Sequence, residues 1–94
     1  MHTVIRRYEG VTDADEVIRR ASEDFATQLA GHEGFRGYYL VNAGGGVIAS
    51  ITVFDTELQA DESTKAAASW VKENLAELVP NPPQVTAGTT VSRS

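Results

Sequence analysis

The chain contains no cysteine, one tryptophan, two histidines and three prolines among its 94 residues. Without cysteine there can be no disulfide, no thiol nucleophile and no zinc–thiolate site. His2 and His32 lie at opposite ends of the first β-α unit, so no metal site is expected from them. No apolar run approaches the roughly 18 residues of a membrane span, and Met1–Arg7 has no apolar stretch of secretory length. Neither membrane nor export is therefore expected, and a cytoplasmic protein fits best. Positive charge is also sparse, with eight Lys+Arg against thirteen Asp+Glu and a net charge of −5. The basic residues come in ones and twos, whereas binding to a phosphate backbone needs a clustered basic face, so nucleic acid is not an expected partner. A nucleophile elbow and a hydrolase triad order are missing too. The acidic pairs Asp13/Asp15 and Asp61/Glu62 fall at helix starts, where capping accounts for them.

What is present is one domain, 1–94, whose 41% apolar content is that of an ordinary globular chain. It is organised around Phe35–Asp55, which reads as two strands joined by Asn42-Ala43-Gly44-Gly45-Gly46. The glycines tolerate the positive φ of a tight strand connection. They are not read as a phosphate loop, because the β-branched run Val47–Phe54 follows them rather than a helix N-terminus.

Upstream, Thr3–Glu9 is read as a strand with Val4, Arg6 and Tyr8 on one face and Thr3, Ile5 and Arg7 on the other. Thr12 and Asp15 make an approximate capping box for a helix whose Ala14, Val17, Ile18, Ala21, Phe25 and Leu29 share an arc of about 120°. Gly31 and Gly34 supply left-handed stop positions. Downstream, a second helix is expected to begin between Leu58 and Asp61 and to run to about Val79, with Ala60, Thr64, Ala67, Trp70, Val71, Leu75 and Leu78 on one arc. Pro80, Pro82 and Pro83 stop it, and Val85–Val91 is the last strand.

The order β-α-β-β-α-β is the ferredoxin-like arrangement: an α+β fold with a four-stranded antiparallel sheet and two helices on one face. A sheet covered on one side should alternate apolar with polar, and this hairpin does not. Tyr39, Val41, Val47, Ala49, Ile51 and Val53 share one parity, while Tyr38, Leu40, Ile48 and Phe54 share the other. Helices can bury one set only; a second subunit on the sheet is the simplest cover for the other, which predicts a homodimer.

Gly34-Phe35-Arg36-Gly37-Tyr38-Tyr39-Leu40, Ser50-Ile51-Thr52-Val53-Phe54-Asp55, and Ser63 with Ala67, Trp70 and Val71 together resemble the antibiotic-biosynthesis-monooxygenase-like superfamily of dimeric α+β barrels. The resemblance implies two sheets packed face to face, with a pocket in each subunit between sheet and helices. Members include cofactor-free oxygenases of polycyclic aromatic intermediates and haem-degrading enzymes. Haem-degrading members use a first-strand asparagine, a tryptophan and a second-helix histidine. Here Trp70 could stand for the tryptophan, but the second helix has no histidine and the first strand offers His2, so haem degradation is disfavoured and no cofactor is expected. Quinone-forming members have asparagine, tryptophan, tyrosine and arginine in the pocket; those types are available as Asn74, Trp70, Tyr38 or Tyr39, and Arg6 or Arg7.

From the residues themselves, Ser63, Trp70 and Asn74 project within about 40° of one another at the edge of the apolar arc. Either Ser63 and Asn74 satisfy their hydrogen bonds within the fold, with Trp70 filling the core, or the three line a pocket for a small aromatic ligand. Arg6, Tyr8 and Tyr38 would supply a cation and phenols for an enolate or phenolate; alternatively, Arg6 and Arg7 pair with acidic residues such as Glu9. Two functions follow: a cofactor-free oxygenase of an aromatic or polyketide-like molecule, or a non-enzymatic dimeric module that binds a small molecule or serves in a stress response. The candidate pocket is Trp70, Asn74, Ser63, Tyr38 and Arg6.

Overall fold

The computed structural model describes residues 1–94. Strand β1 (His2–Tyr8) is followed by helix α1 (Ala14–Arg20), a π-helical turn (Ala21–Phe25) and helix α2 (Ala26–Ala30), which run on from one another as one arm. Strands β2 (Phe35–Gly44) and β3 (Val47–Phe54) form the hairpin, and helix α3 (Glu57–Asn74) and strand β4 (Gln84–Thr89) complete the chain. All strand pairs are antiparallel, in the order β2-β3-β1-β4. This is the ferredoxin-like α+β fold.

The π turn departs from the regular helix expected there, and it has a packing reason. Val17, Ala21, Phe25 and Leu29 are all buried and are spaced four residues apart. In a straight α-helix each such step drifts by about 40°. A turn with i→i+5 bonding under-winds the helix, which keeps the four in line over the sheet.

The ends of the helices differ from expectation in four places. The cap of α1 is Asp13, not Thr12: Asp13 takes a left-handed φ of 50° and accepts from the Glu16 amide, while the Thr12 hydroxyl donates to the Leu78 carbonyl. Gly31 is right-handed, and the positive φ falls on Gly34 alone of that pair. Helix α3 starts earlier, at Glu57, because Thr56 and Gln59 form a full capping box. It also stops earlier, at Asn74, where the Arg20 guanidinium donates to the Asn74 carbonyl at 2.8 Å and places a cation on the negative helix end. Leu75–Val79 then folds back as a turn, with the Leu78 and Val79 amides both donating to the Leu75 carbonyl.

Gly34 joins two of these features. Its φ is 80°, and a Cβ there would collide with the side chain of Gln59, half of the α3 capping box. Gly34→Ala is expected to lower the unfolding free energy by about 1–3 kcal/mol, read from urea denaturation; an unchanged midpoint would contradict the placement.

The register decides which parity goes inward. Val4, Ile48, Ser50, Thr52 and Phe54 are buried beneath the helices. On the other face Ile5, Tyr39 and Val41 are 39%, 62% and 44% exposed, and Ala49, Ile51 and Val53 are half-buried. Tyr39 pairs with Ile51, and Ile51 with Ile5, so the open face carries an unbroken apolar row across three strands. The three glycines of the hairpin turn, Gly44, Gly45 and Gly46, have φ of 82°, 60° and 80°.

Candidate functional site

The site is set by a charged residue where the alternation of β1 calls for an apolar one. Val4, Arg6 and Tyr8 point toward the helices, and Arg6 is only 3% exposed. Its Nη1 donates to Thr52 Oγ1 on β3 at 3.3 Å, and its Nη2 donates to Thr64 Oγ1 on α3 at 2.7 Å. The Thr64 hydroxyl in turn donates to the Ala60 carbonyl at 3.1 Å. Nε has no partner, and no carboxylate pairs with the guanidinium. Arg7, on the opposite face, makes the ion pair with Glu9 at 3.0 Å. Desolvation lowers the pKa of Arg6, as expected for a cation in apolar surroundings, although nearby Tyr8 and Tyr38 partly oppose the shift.

Arg6 lies in the wall of a largely apolar cavity between sheet and helices, about 40 Å³ in volume. Tyr8, Tyr38, Ser50, Phe25 and Trp70 share that wall. Phe25, presented by the π turn, stacks between the other two rings, 5.3 Å from Trp70 and 5.9 Å edge-on from Tyr38. A space of this size holds a water or two but no aromatic ring system. It adjoins a groove of about 400 Å³ between α3 and the segment Val79–Val85, and Arg6, Tyr8, Val71 and Val79 line both.

Burial raises the pKa of the Tyr8 hydroxyl, and Arg6 offsets part of that rise. Tyr38 is pushed up to about 12 by burial first and Tyr8 second, with Arg6 pulling the other way. Both phenols therefore stay protonated at neutral pH: they are hydrogen-bond donors, not bases. The native state holds the Tyr38 proton more tightly than the unfolded chain does. This contribution to stability is complete below about pH 10 and fades as the pH rises toward 12. Ultraviolet titration should show a late phenolate step near pH 12 that Tyr38→Phe removes; a Tyr38→Phe titration identical to wild type would refute the assignment.

Of the residues proposed from sequence, Arg6, Tyr38 and Trp70 meet at this cavity, whereas Ser63 and Asn74 lie outside it. Ser63 is fully buried and donates to the Ala60 carbonyl at 2.7 Å, a bond within its own helix. The Asn74 amide donates to the Trp70 carbonyl at 2.9 Å and sits in an outer cleft with Glu23, Asp24 and Glu73. The helical wheel places both near Trp70 by angle, but each closes its bond along the helix. Thr52 and Thr64, which hold the guanidinium, are absent from the candidate pocket read from sequence. A signal exists for Thr52, a polar residue at the inward parity of Ile48 and Phe54. His32 is exposed and stands edge-on to Phe54, and no three His, Asp or Glu side chains cluster as metal ligands would.

Among solved structures the chain is similar to Rv0793 from Mycobacterium tuberculosis, at 22% identity and TM-score 0.74, over 99% of this chain and 97% of that one. It is also similar to a monooxygenase from the gene ActVA-Orf6 of Streptomyces coelicolor in complex with nanaomycin D, at 13% identity and TM-score 0.78, over 99% and 89%. The ferredoxin-like α+β fold is the one these solved structures share with the chain. A point mutant of MhuD with two manganese protoporphyrin IX bound per active site matches as well, at 15% identity and TM-score 0.75, over 100% and 98% of the two chains. No family model and no curated protein matches the sequence. No helix of the chain is long and apolar enough to cross a membrane.

Proposed function

We propose that this chain is a monooxygenase-like homodimer that binds a small aromatic molecule through an ionised oxygen held at Arg6 and oxygenates it without a cofactor. The observation that carries the reading is Arg6 itself, a buried guanidinium with an unused Nε–H and no carboxylate near it. A buried cation without a counter-ion costs several kcal/mol, and an anionic ligand would offset that cost. A phenolate or enolate suits the surroundings, because Tyr8 lines the cavity and the adjoining groove alike and can donate to the oxygen held at Arg6, while the ring has room in the groove. The likeness to a monooxygenase complexed with nanaomycin D supports an aromatic ligand.

Arg6 would lower the pKa of the substrate hydroxyl, and the electron-rich ring of the resulting anion can react with dioxygen. One oxygen atom stays on the ring as a second carbonyl. The other leaves as water, taking the hydrogen from the oxidised ring carbon and one proton from solvent, and the phenolate becomes a quinone. No protein base enters this balance when the substrate arrives ionised.

Trp70 is the only tryptophan and lines the cavity that adjoins the groove at Arg6, so its fluorescence reports a ring bound beside Arg6. Titration with 2-naphthol and larger polycyclic phenols should quench it saturably, and an oxygen electrode should then register uptake. Absence of quenching would overturn the reading. Quenching without uptake would favour a binding module, which the small size of the cavity and the lack of a base in its wall also support.

A further inference from the structure

Four of the eight basic residues, Arg7, Arg19, Arg20 and Arg36, are tied up in ion pairs with carboxylates. Two of the remaining four, Arg6 and Lys72, line one groove. That groove, between α3 and Val79–Val85, contains no aspartate or glutamate, in a chain whose net charge is −5. Its walls are otherwise apolar or neutral, with Val71, Val85 and Pro82 as flat surface and Thr64 and Asn81 as hydrogen-bonding groups. Arg6 reaches it from the sheet, buried and with Nε unpartnered, while Lys72 stands exposed at the helix rim. At about 400 Å³ the groove has the size of a ligand site, which the small cavity beyond Arg6 does not.

Two cations at different depths, with apolar walls and no acid, fit a flat ligand that carries two acidic oxygens. We infer that the groove is the ligand's seat and entrance, and that the ligand is a hydroxyaryl carboxylic acid. Its phenolic oxygen reaches Arg6, its ring lies against Val71 and Pro82, and its carboxylate stays at the rim on Lys72. This rests on the reading of Arg6 under Proposed function and adds the carboxylate, the direction of entry and the role of Lys72. As the sole cation at the rim of an acid-free groove, Lys72 also attracts the anion against the overall negative charge.

The test compares 2-naphthol with 6-hydroxy-2-naphthoic acid, whose hydroxyl and carboxylate lie at opposite ends of the same ring system. Trp70 quenching is followed in wild type and in Lys72→Met and Lys72→Glu. The acid is expected to bind wild type about threefold to fivefold more tightly than the naphthol at low salt, the range of a partly exposed ion pair. The advantage should shrink at high salt, about 0.5 M NaCl, where the screening length falls to about 4 Å. Lys72→Met should remove the advantage, and Lys72→Glu should reverse it, while affinity for 2-naphthol changes much less than that for the acid and the melting temperature stays unchanged in both. Equal wild-type affinity for the two compounds would overturn the inference, as would a loss in Lys72→Met that is the same for both. If neither compound binds wild type, the reading of Arg6 itself fails; if 2-naphthol binds and the acid does not, the carboxylate subsite alone is refuted.

Discussion

Replacing Arg6 with methionine is expected to weaken binding of a phenolate or enolate ligand by about tenfold to a hundredfold, the value of a charge-assisted hydrogen bond lost. The same substitution should leave folding stability within about 1 kcal/mol of wild type. The two halves of that expectation have separate causes. Methionine fills much of the space of the arginine stem and removes the desolvation cost of an unpaired cation. Against this, Thr52 is fully buried and loses the guanidinium as a partner at 3.3 Å, which costs about 1–3 kcal/mol for an orphaned hydroxyl. Thr64 keeps its bond to the Ala60 carbonyl and loses less. The double variant Arg6→Met/Thr52→Val should therefore be more stable than wild type, by about 1–3 kcal/mol. Urea unfolding measures one half of this expectation and Trp70 quenching the other. A purely structural arginine would give the opposite pattern, with stability falling in both variants and no selective loss of anionic ligands.

Introducing aspartate at Ile51 should convert a dimer to a monomer at micromolar concentration, raising the dissociation constant at least about a hundredfold. Ile51 sits in the apolar row of the open sheet face, between Tyr39 and Ile5. In a two-fold interface every substitution acts twice, and a carboxylate buried there without a cation costs several kcal/mol per copy. Because this face points away from the helices, the isolated subunit should keep its far-ultraviolet circular dichroism. Light scattering or sedimentation distinguishes the outcomes. A wild-type chain that is already monomeric at these concentrations would remove the basis for the homodimer. Tyr39, 62% exposed, is the residue whose burial in a dimer would change most.

The two variants probe opposite faces of one sheet, and those faces differ in what can be read from sequence. The element order, the glycine turn and the antiparallel hairpin are legible because strand and helix periods differ and the glycines Gly44–Gly46 mark the break. That the hairpin has two apolar faces is legible too. Parity alone does not say which face the helices take, since Tyr38 with Leu40 and Tyr39 with Val41 are equally apolar pairs. Only the packed structure assigns Ile48, Thr52 and Phe54 to the helix side.

The helix boundaries depend on partners distant in sequence. The end of α3 at Asn74 is capped by Arg20, 54 positions away, which donates to its carbonyl. The π turn depends on the spacing of buried residues in the arm, which a fixed turn of about 100° per residue averages into one broad arc.

For the site, sequence by itself determined that a cation and aromatic residues of the right kinds were available, and that cysteine chemistry was not. It put Arg6, Tyr8 and Val4 on one strand face, because side chains alternate along a strand whatever the fold. Tertiary structure decided which of these residues meet. It brought Arg6, Tyr38 and Trp70 to one cavity, left Ser63 and Asn74 bonded along their own helix, and set Lys72 on the same groove as Arg6. The reason is that helical angle fixes direction around an axis but not what stands opposite, and a hydroxyl or amide near the edge of an arc can turn to a carbonyl in the preceding turn. Whether the guanidinium of Arg6 found a carboxylate was likewise a matter of three dimensions, and none of the thirteen acidic residues lies within ion-pair reach of it.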